Sequence, residues 1–394
     1  MREGAILAVG RSCDLARDVS AAAKHVDFGD ALITPGFVNA HAHLELTCYR
    51  GMLPQGPLWP WIQELVRLRA APEAGGREMT AAADGATESL AHGITCVGDI
   101  SRTGAAISPL ANSPIRKTCF IELISQARDE PNDIASLTTA LDDCDGTHQT
   151  DRLRVGISPH APYTVTADDL AGAIRLGRER NAPMTMHYLE TPEEAAWLRG
   201  EPSSITEFLS RFAAPNSAGD AARRVADFLR SGAAFTPSML LAHVNHAGDR
   251  DIAAIAAGGA SVVWCPRAHA YYGHARHRWR DMLAAGINVC IGTDSAPCVA
   301  TLSVLDELRA IRRQDPDVAA EVLLRMGTTN GARALGRQGQ IGALEPGMRA
   351  DFVVSTLDNA GRDPMHELFS EDSRVAQTFI DGELVWPPSG QKSE

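Results

Sequence analysis

The stretch Thr34-Pro-Gly-Phe-Val-Asn-Ala-His41-Ala-His43-Leu-Glu45 decides how the rest of the chain is read. Phe37 and Val38 end a short apolar run, and His41 and His43 follow two residues apart. Alternate side chains of an extended chain share a face, so both imidazoles leave one strand end in the same direction. Two such rings suit neighbouring positions on one metal ion. The pair gains meaning only if further His and Asp residues recur at later strand ends.

Working outward, a strand–helix rhythm takes over from residue 39. Apolar runs predict strands over 94–97, 118–124, 153–157, 183–186, 239–242, 260–264 and 287–291. Helical spacing predicts helices over 61–69 and 79–92, from Thr166, over 191–199 and from about Ser303 to Arg313. Residues 200–235 read as a polar insertion with one or two helices. About eight strand–helix repeats fit between residues 37 and 330. That number and span predict an α/β fold, a (β/α)8 TIM barrel, for which about 250 residues is typical.

The two chain ends read differently. Ala5–Val9, Val26–Phe28 and Ala31–Thr34 are short β-like runs, as are Ala350–Val354 and a hairpin over 378–385 turning at Asp381-Gly382. Neither end can bury a core alone. They are expected to pair as a small composite β-sandwich domain, residues 1–38 and 339–394, beside a barrel domain of residues 39–338.

Composition narrows the function classes. A net charge of -12 argues against nucleic acid or an anionic membrane surface as partner. No apolar run approaches the roughly 18 residues that span a bilayer, and no secretory leader is legible after Met1. The 8 cysteines are scattered without a C-x-x-C pair, which predicts a reduced, cytoplasmic protein.

Five predicted strand ends carry a candidate group: His41 with His43, His160, His187, His243 and Asp294. His41, His43, His187 and Asp294 could bind one divalent metal, with mixed N and O ligands that suit Zn2+ and one position left for water. Fe2+ and Mn2+ are the alternatives. Glu190, three residues after His187, is the natural acid/base beside it.

Taken in order, Asn39-Ala-His41-Ala-His43, Ser158-Pro-His160-Ala-Pro-Tyr163, His187-Tyr-Leu-Glu190, Ala242-His243 and Gly292-Thr-Asp294-Ser resemble the amidohydrolase superfamily. They resemble most its branch of methylthioadenosine/S-adenosylhomocysteine deaminases, guanine deaminases and triazine chlorohydrolases. The resemblance implies a hydrolase that releases ammonia from an aminated heterocycle, a purine base or nucleoside-like compound. Asp294 would orient or deprotonate water, His243 would hydrogen-bond it, Glu190 would pass a proton to a ring nitrogen, and His160 would contact substrate. Dechlorination or another C–N hydrolysis of a ring is the alternative, and a catalytically silent binding barrel is the alternative of another class. Relatives are often dimers, so a homodimer is admitted.

Some relatives hold two metals through a lysine on the fourth strand. The run 118–124 has none; Lys117 precedes it, and Glu122 is its one carboxylate that could support a second ion. Relatives also tend to carry a further strand or two before the equivalent of Met1, which leaves the completeness of the N-terminus open. Their substrate-reading Glu has no placed equivalent near 61–70.

Other residues have sharp and bland readings. Trp59 and Trp61 could stack on a planar ring, or pack in the core. Arg267, His269 and His274, after the strand at 260–264, could contact substrate, or serve loop packing. Cys265 and Cys298 could be nucleophiles but have no paired base. Glu45 could face the cavity or support it, and His92 and His246 fit helix-end roles.

Overall fold

A barrel wall of eight strands carries every candidate group, and the reason lies in how completely those strands are buried. The computed structural model describes residues 1–15, 23–126, 132–145, 150–212, 220–357 and 363–388. After β1 (Ala31–Pro35), the barrel strands are β2 (Phe37–Ala42), β3 (Ile94–Ser101), β4 (Arg116–Leu123), β5 (Leu153–Pro159), β6 (Met184–Tyr188), β7 (Met239–His243), β8 (Ser261–Trp264) and β9 (Val289–Ile291). They pair in sequence order, each parallel to the next. A parallel bridge between Ala42 and Asp294 links the last strand to the first. This is the (β/α)8 TIM barrel. Every residue of β2, β3 and β4 is buried, as expected of parallel strands covered on both faces.

The helices begin where short side chains can cap them. Thr166 Oγ1 accepts the Asp169 N–H at the start of Ala167–Glu179, and Ser303 Oγ accepts the Asp306 N–H at the start of Val304–Gln314. Helices Leu58–Arg69 and Ala74–Ala91 follow β2, with His92 as the C-cap of the second. The insertion carries Ile205–Phe212 and Asp220–Arg230; the part of that expectation over 213–219 lies outside the described residues, as does residue 389 onward.

Both chain ends contribute to a second sheet. It is antiparallel, in the order β1, β10 (Phe352–Thr356), β11 (Arg374–Ile380), β12 (Glu383–Trp386). Asp381 and Gly382 join the last two strands at φ 53° and 76°, the left-handed pair that a two-residue hairpin turn requires. Among the described residues Ala5–Val9 and Val26–Phe28 add no strand. Leu7 and Val9 stay exposed there, and Ala5 makes two isolated bridges, to Arg2 and Arg349.

Two boundaries move for a common reason. β3 continues four residues past Val97, and β4 starts at Arg116, so Lys117 lies inside the strand at the end away from the histidines. Polar Asp99, Arg116 and Lys117 are buried in those strands because each has a partner: the Leu44 N–H, Asp351 and the Ser113 carbonyl. Apolar runs alone do not reveal such residues. No helix among the described residues is long and apolar enough to cross a membrane.

Candidate metal and catalytic site

The C-terminal ends of β2, β6, β7 and the segment after β9 converge. His41 is the fifth residue of β2 and fully buried. Its ring centroid lies 5.0 Å from His43, 5.0 Å from His187 and 5.2 Å from His243. His187 Nε2 faces His43 Nε2 at 3.3 Å, and His43 Nε2 is 3.8 Å from Asp294 Oδ1. Ligand atoms of His41, His43 and Asp294 lie within 4.8 Å of one another, and so do those of His41, His187 and His243. The residues read from the sequence as metal ligands are therefore brought to one place.

Backbone geometry puts them there. Asp294 is held at φ 62°, and its N–H and that of Thr293 both donate to the His41 carbonyl at 3.1 Å. Asn39 bonds Thr293 twice, accepting its N–H and donating to its Oγ1. At Gly292 a Cβ would stand 2.7 Å from the His41 carbonyl oxygen, so only glycine lets the last strand come this close to the first. His243 and Val244 follow at φ 71° and 53°. Left-handed conformations at bulky residues cost energy and cluster at functional sites.

The donor chemistry fits a divalent cation. His187 Nδ1–H donates to the His160 carbonyl at 3.0 Å, leaving the Nε2 lone pair free. Both ring nitrogens of His41 are buried without a hydrogen-bond partner. Such orphaned polar atoms cost roughly 1–3 kcal/mol each, and a cation on one lone pair offsets part of that. Burial, then repulsion from neighbouring imidazoles, holds His41 and His43 well below the usual histidine pKa; burial takes His187 down to about 4. All three are thus neutral, the form that ligates metal. Burial raises the Asp294 carboxyl to about 7, and a bound cation would reverse that shift.

Two further groups face the cluster. Glu190 Oε1 lies 3.6 Å from His243 Nε2, and Glu190, His243 and Asp294 offer ligand-type atoms within 4.8 Å. Burial first, then Asp294 and Glu194, push the Glu190 carboxyl well above the usual carboxylate range. His160 presents Nε2, since its Nδ1 meets Thr164 Oγ1 at 2.9 Å. Glu122 Oε1 lies 3.8 Å from that Nε2, so Glu122 does reach the site, beside His160 and His187.

Three expected substrate contacts are placed otherwise. Trp61 is buried in a cluster with Leu46, Tyr49, Leu58 and Leu65, its ring edge-on to Tyr272. It lies on the apolar face of its helix, which leaves no ring face for a substrate. Arg267 is consumed by protein: Nε donates to Glu307 at 2.7 Å, Nη1 to Thr301 Oγ1 at 2.9 Å and Nη2 to the Thr301 carbonyl at 2.6 Å. Buried His269 has Asn245 Oδ1 2.9 Å from Nδ1 and the Ala275 carbonyl 2.7 Å from Nε2, so neither nitrogen is left for substrate. His246 and His274 face each other, Nε2 to Nδ1, at 3.2 Å. Trp59 packs on Tyr163 and Phe208. Burial raises the Cys265 and Cys298 thiols well above their usual value, which leaves them inert. Glu45 is buried and accepts from Arg69, Ser101 and the Arg102 N–H.

The sequence reading missed several groups that shape this site. Asp99 Oδ1 accepts the Leu44 N–H at 2.8 Å, directly after His43. His277 Nε2–H donates to the His243 carbonyl at 2.9 Å while its ring stacks on Trp264 at 4.7 Å. Glu194 accepts the N–H groups of Leu189 and Glu190. Only Glu194 left a local signal, the Thr191-x-x-Glu194 capping pattern.

With this geometry in view, comparison with known proteins is informative. The sequence model of the amidohydrolase family matches residues 32–385. A 5-methylthioadenosine/S-adenosylhomocysteine deaminase of Teredinibacter turnerae is 28% identical over 385 residues, covering 92% of this chain and 81% of that protein. Among solved structures, Helicobacter pylori aminofutalosine deaminase in complex with methylthio-coformycin superposes with a TM-score of 0.86 at 21% identity, over 98% of this chain and 94% of that one. Atrazine chlorohydrolase from Arthrobacter aurescens TC1, complexed with zinc, gives 0.81 at 20% identity, over 98% and 89%. Likeness at those identities speaks for the fold.

Proposed function

The chain belongs to the amidohydrolase family, and on that premise we propose that it is a metal-dependent aminohydrolase that releases ammonia from an aminated heterocycle. The substrate is a purine base or a nucleoside-like compound; the curated relatives are named for two nucleoside compounds, 5-methylthioadenosine and S-adenosylhomocysteine. The single observation that carries the reading is Glu190: a buried carboxyl 3.6 Å from His243 Nε2, at the edge of a His/His/His/Asp cluster.

His41, His43, His187 and Asp294 would hold one divalent cation, zinc by the preference of mixed imidazole and carboxylate donors. When bound, that cation supplies Lewis acidity and makes water a nucleophile near neutral pH. The chain's own residues do the rest. Glu190 donates its proton to the ring nitrogen beside the carbon under attack. That step is helped by a carboxyl that holds its proton more tightly than usual, the direction in which burial pushes Glu190. His243, neutral and fixed through its carbonyl by His277, directs Nε2 at the reacting centre. Asp294 takes up a proton from the attacking water. Asp294 passes that proton to the departing amine, and as the C–N bond breaks and C=O forms, the added hydroxyl returns its proton to the Glu190 carboxylate, so ammonia leaves and both carboxyl groups are restored. His160 contacts the ring through Nε2, and Tyr163 and Trp59 close an apolar wall beside it. Free cysteines throughout the described residues suit a reducing, cytoplasmic setting.

The test is an ammonia-release screen of metal-replete protein over aminopurines, aminopyrimidines, pterins and their nucleosides, with chloride release followed on chlorinated triazines. Glu190→Gln is expected to keep its metal and to lose turnover by roughly 10²–10⁴-fold. Absence of ammonia from every compound would overturn the proposal.

A further inference from the structure

Helix Pro192–Leu198 opens with Thr191-Pro-Glu-Glu194, a capping-box sequence whose carboxylate goes to an unexpected place. In the usual arrangement the Glu reaches back to the N–H of the cap residue. Thr191 Oγ1 does accept the Glu194 N–H, at 3.1 Å. The Glu194 carboxylate, however, passes over the cap. Oε1 accepts the Leu189 N–H at 2.9 Å and Oε2 the Glu190 N–H at 3.0 Å.

The opposite edge of the same segment is held by the strand next door. Asn245 Nδ2–H donates to the Glu190 carbonyl at 3.1 Å. His246 N–H donates to the Leu189 carbonyl at 3.0 Å, and Val244 N–H to that of Tyr188 at 2.9 Å. The His269 ring packs beside the amide, Nδ1 2.9 Å from Asn245 Oδ1. Every main-chain polar group of Leu189 and Glu190 is thereby bonded to protein. Glu194 is 0% and Asn245 6% exposed, so water does not compete. Leu189 sits at φ 51°, a conformation that a branched side chain keeps only when its surroundings impose it.

We infer that Glu194 and Asn245 are positioning residues, clamping the 189–190 peptide from its two edges so that the Glu190 carboxyl stays facing His243 and the substrate ring. The inference rests on the aminohydrolase reading for its catalytic consequence, though not for the clamp itself. Neither residue touches substrate. A main chain without freedom leaves Glu190 only its own side-chain torsions, and a displacement of about 1 Å at a reacting group can cost 10²-fold.

The experiment uses full-length, metal-replete protein. Glu194→Gln puts a donor where one N–H must be accepted; Asn245→Asp puts an acceptor against the Glu190 carbonyl. Each is expected to lower kcat by roughly 30- to 100-fold with KM within about 3-fold and metal content unchanged. In a Glu190→Gln background the same substitutions should cost no more than about 2-fold, because what they position is already gone. Equal losses in both backgrounds overturn the inference. Amide exchange at Leu189 and Glu190 supplies a readout independent of turnover. It should quicken by about 10-fold or more in Glu194→Gln; unchanged exchange likewise overturns the clamp. If wild-type protein turns over no heterocycle, the functional proposal falls, and exchange alone still decides whether these side chains hold the peptide.

Discussion

At the N-terminal end of the barrel, Arg116 is fully buried and nearly saturated. Its Nε donates to Asp351 Oδ2 at 2.6 Å, its Nη2 to Asp351 Oδ1 and to Asp381, and Arg152 meets Asp381 Oδ2 at 2.7 Å. At the C-terminal end, Glu190, Asp294 and the rings of His41, His43, His187 and His243 crowd together with few partners. His41 has none on either nitrogen. Both ends bury titratable groups, but Arg116 meets Asp351 and Asp381, whereas Glu190 and Asp294 in the mouth cluster face only histidines, His243 and His43. The paired end fastens β10 and the 381–382 turn to the barrel floor. The other end stacks groups whose charges or lone pairs have no protein counterpart, an arrangement that makes sense only around a ligand. In a (β/α)8 barrel, that contrast is what separates the stabilising face from the reacting one.

The largest expected effect lies at the crowded end. Stripping the metal with a chelator, or replacing His41 by Ala, should take turnover to background, with Zn2+ restoring only the stripped protein. Metal at 100 times its dissociation constant should also raise stability by about 2.7 kcal/mol, read as a Tm shift. Turnover that survives full stripping, checked by elemental analysis, would break the comparison at this end.

The next effect belongs to the paired end. Asp351→Ala leaves the Arg116 guanidinium buried with one of its three hydrogen bonds, and removing one partner of a buried ion pair costs about 3–5 kcal/mol. Denaturant unfolding should report a loss of that order. The kcat of the folded fraction should stay within about 2-fold, since Asp351 lies at the far face of the barrel. A variant that lost kcat without losing stability would show that the two ends are not independent.

How much of this was legible beforehand follows the same divide. The residues that cluster at the barrel mouth were readable because each stands at the end of an apolar run, where period and spacing place a side chain at that mouth. The barrel followed from the repetition of that unit. The substrate side was not readable. Whether Arg267 points at a cavity or at Glu307 depends on where the helix Val304–Gln314 lies, 36 or more residues away in sequence. His269 could be read as a contact only while Asn245 and the Ala275 carbonyl were unplaced. Trp61 was ambiguous because an apolar helix face and a stacking platform use the same residue. The strand boundaries failed where buried polar residues had partners distant in sequence: Asp99 with Leu44, Arg116 with Asp351. Long-range partners leave no local pattern.

Lys117 gives the smallest and most discriminating expectation, because it is a buried cation of the paired end that donates to a carbonyl rather than to a carboxylate. It is 1% exposed, and its Nζ donates to the Ser113 carbonyl at 2.7 Å. Burial, with Arg152 and Arg337 adding repulsion, lowers its pKa from 10.5 to about 8. The folded value is below the unfolded one, so the unfolded chain binds the proton more tightly. Below about pH 8 both states carry it, and the folded state bears the full cost. Between about pH 8 and 10.5 the folded state releases it first, and stability rises with pH. A shift of this size corresponds to roughly 3 kcal/mol, against which the lost hydrogen bond counts for about 1. Lys117→Met should therefore stabilise the protein by about 2 kcal/mol at pH 7. That gain should shrink as pH climbs through this window, cross zero near its upper end and turn into a loss of about 1 kcal/mol, the missing hydrogen bond, above it. Unfolding free energies of both proteins across pH 6 to 11 measure it. A gain independent of pH would mean that packing, not the buried charge, sets the cost of Lys117, and the paired end would then owe less to electrostatics than Arg116 suggests.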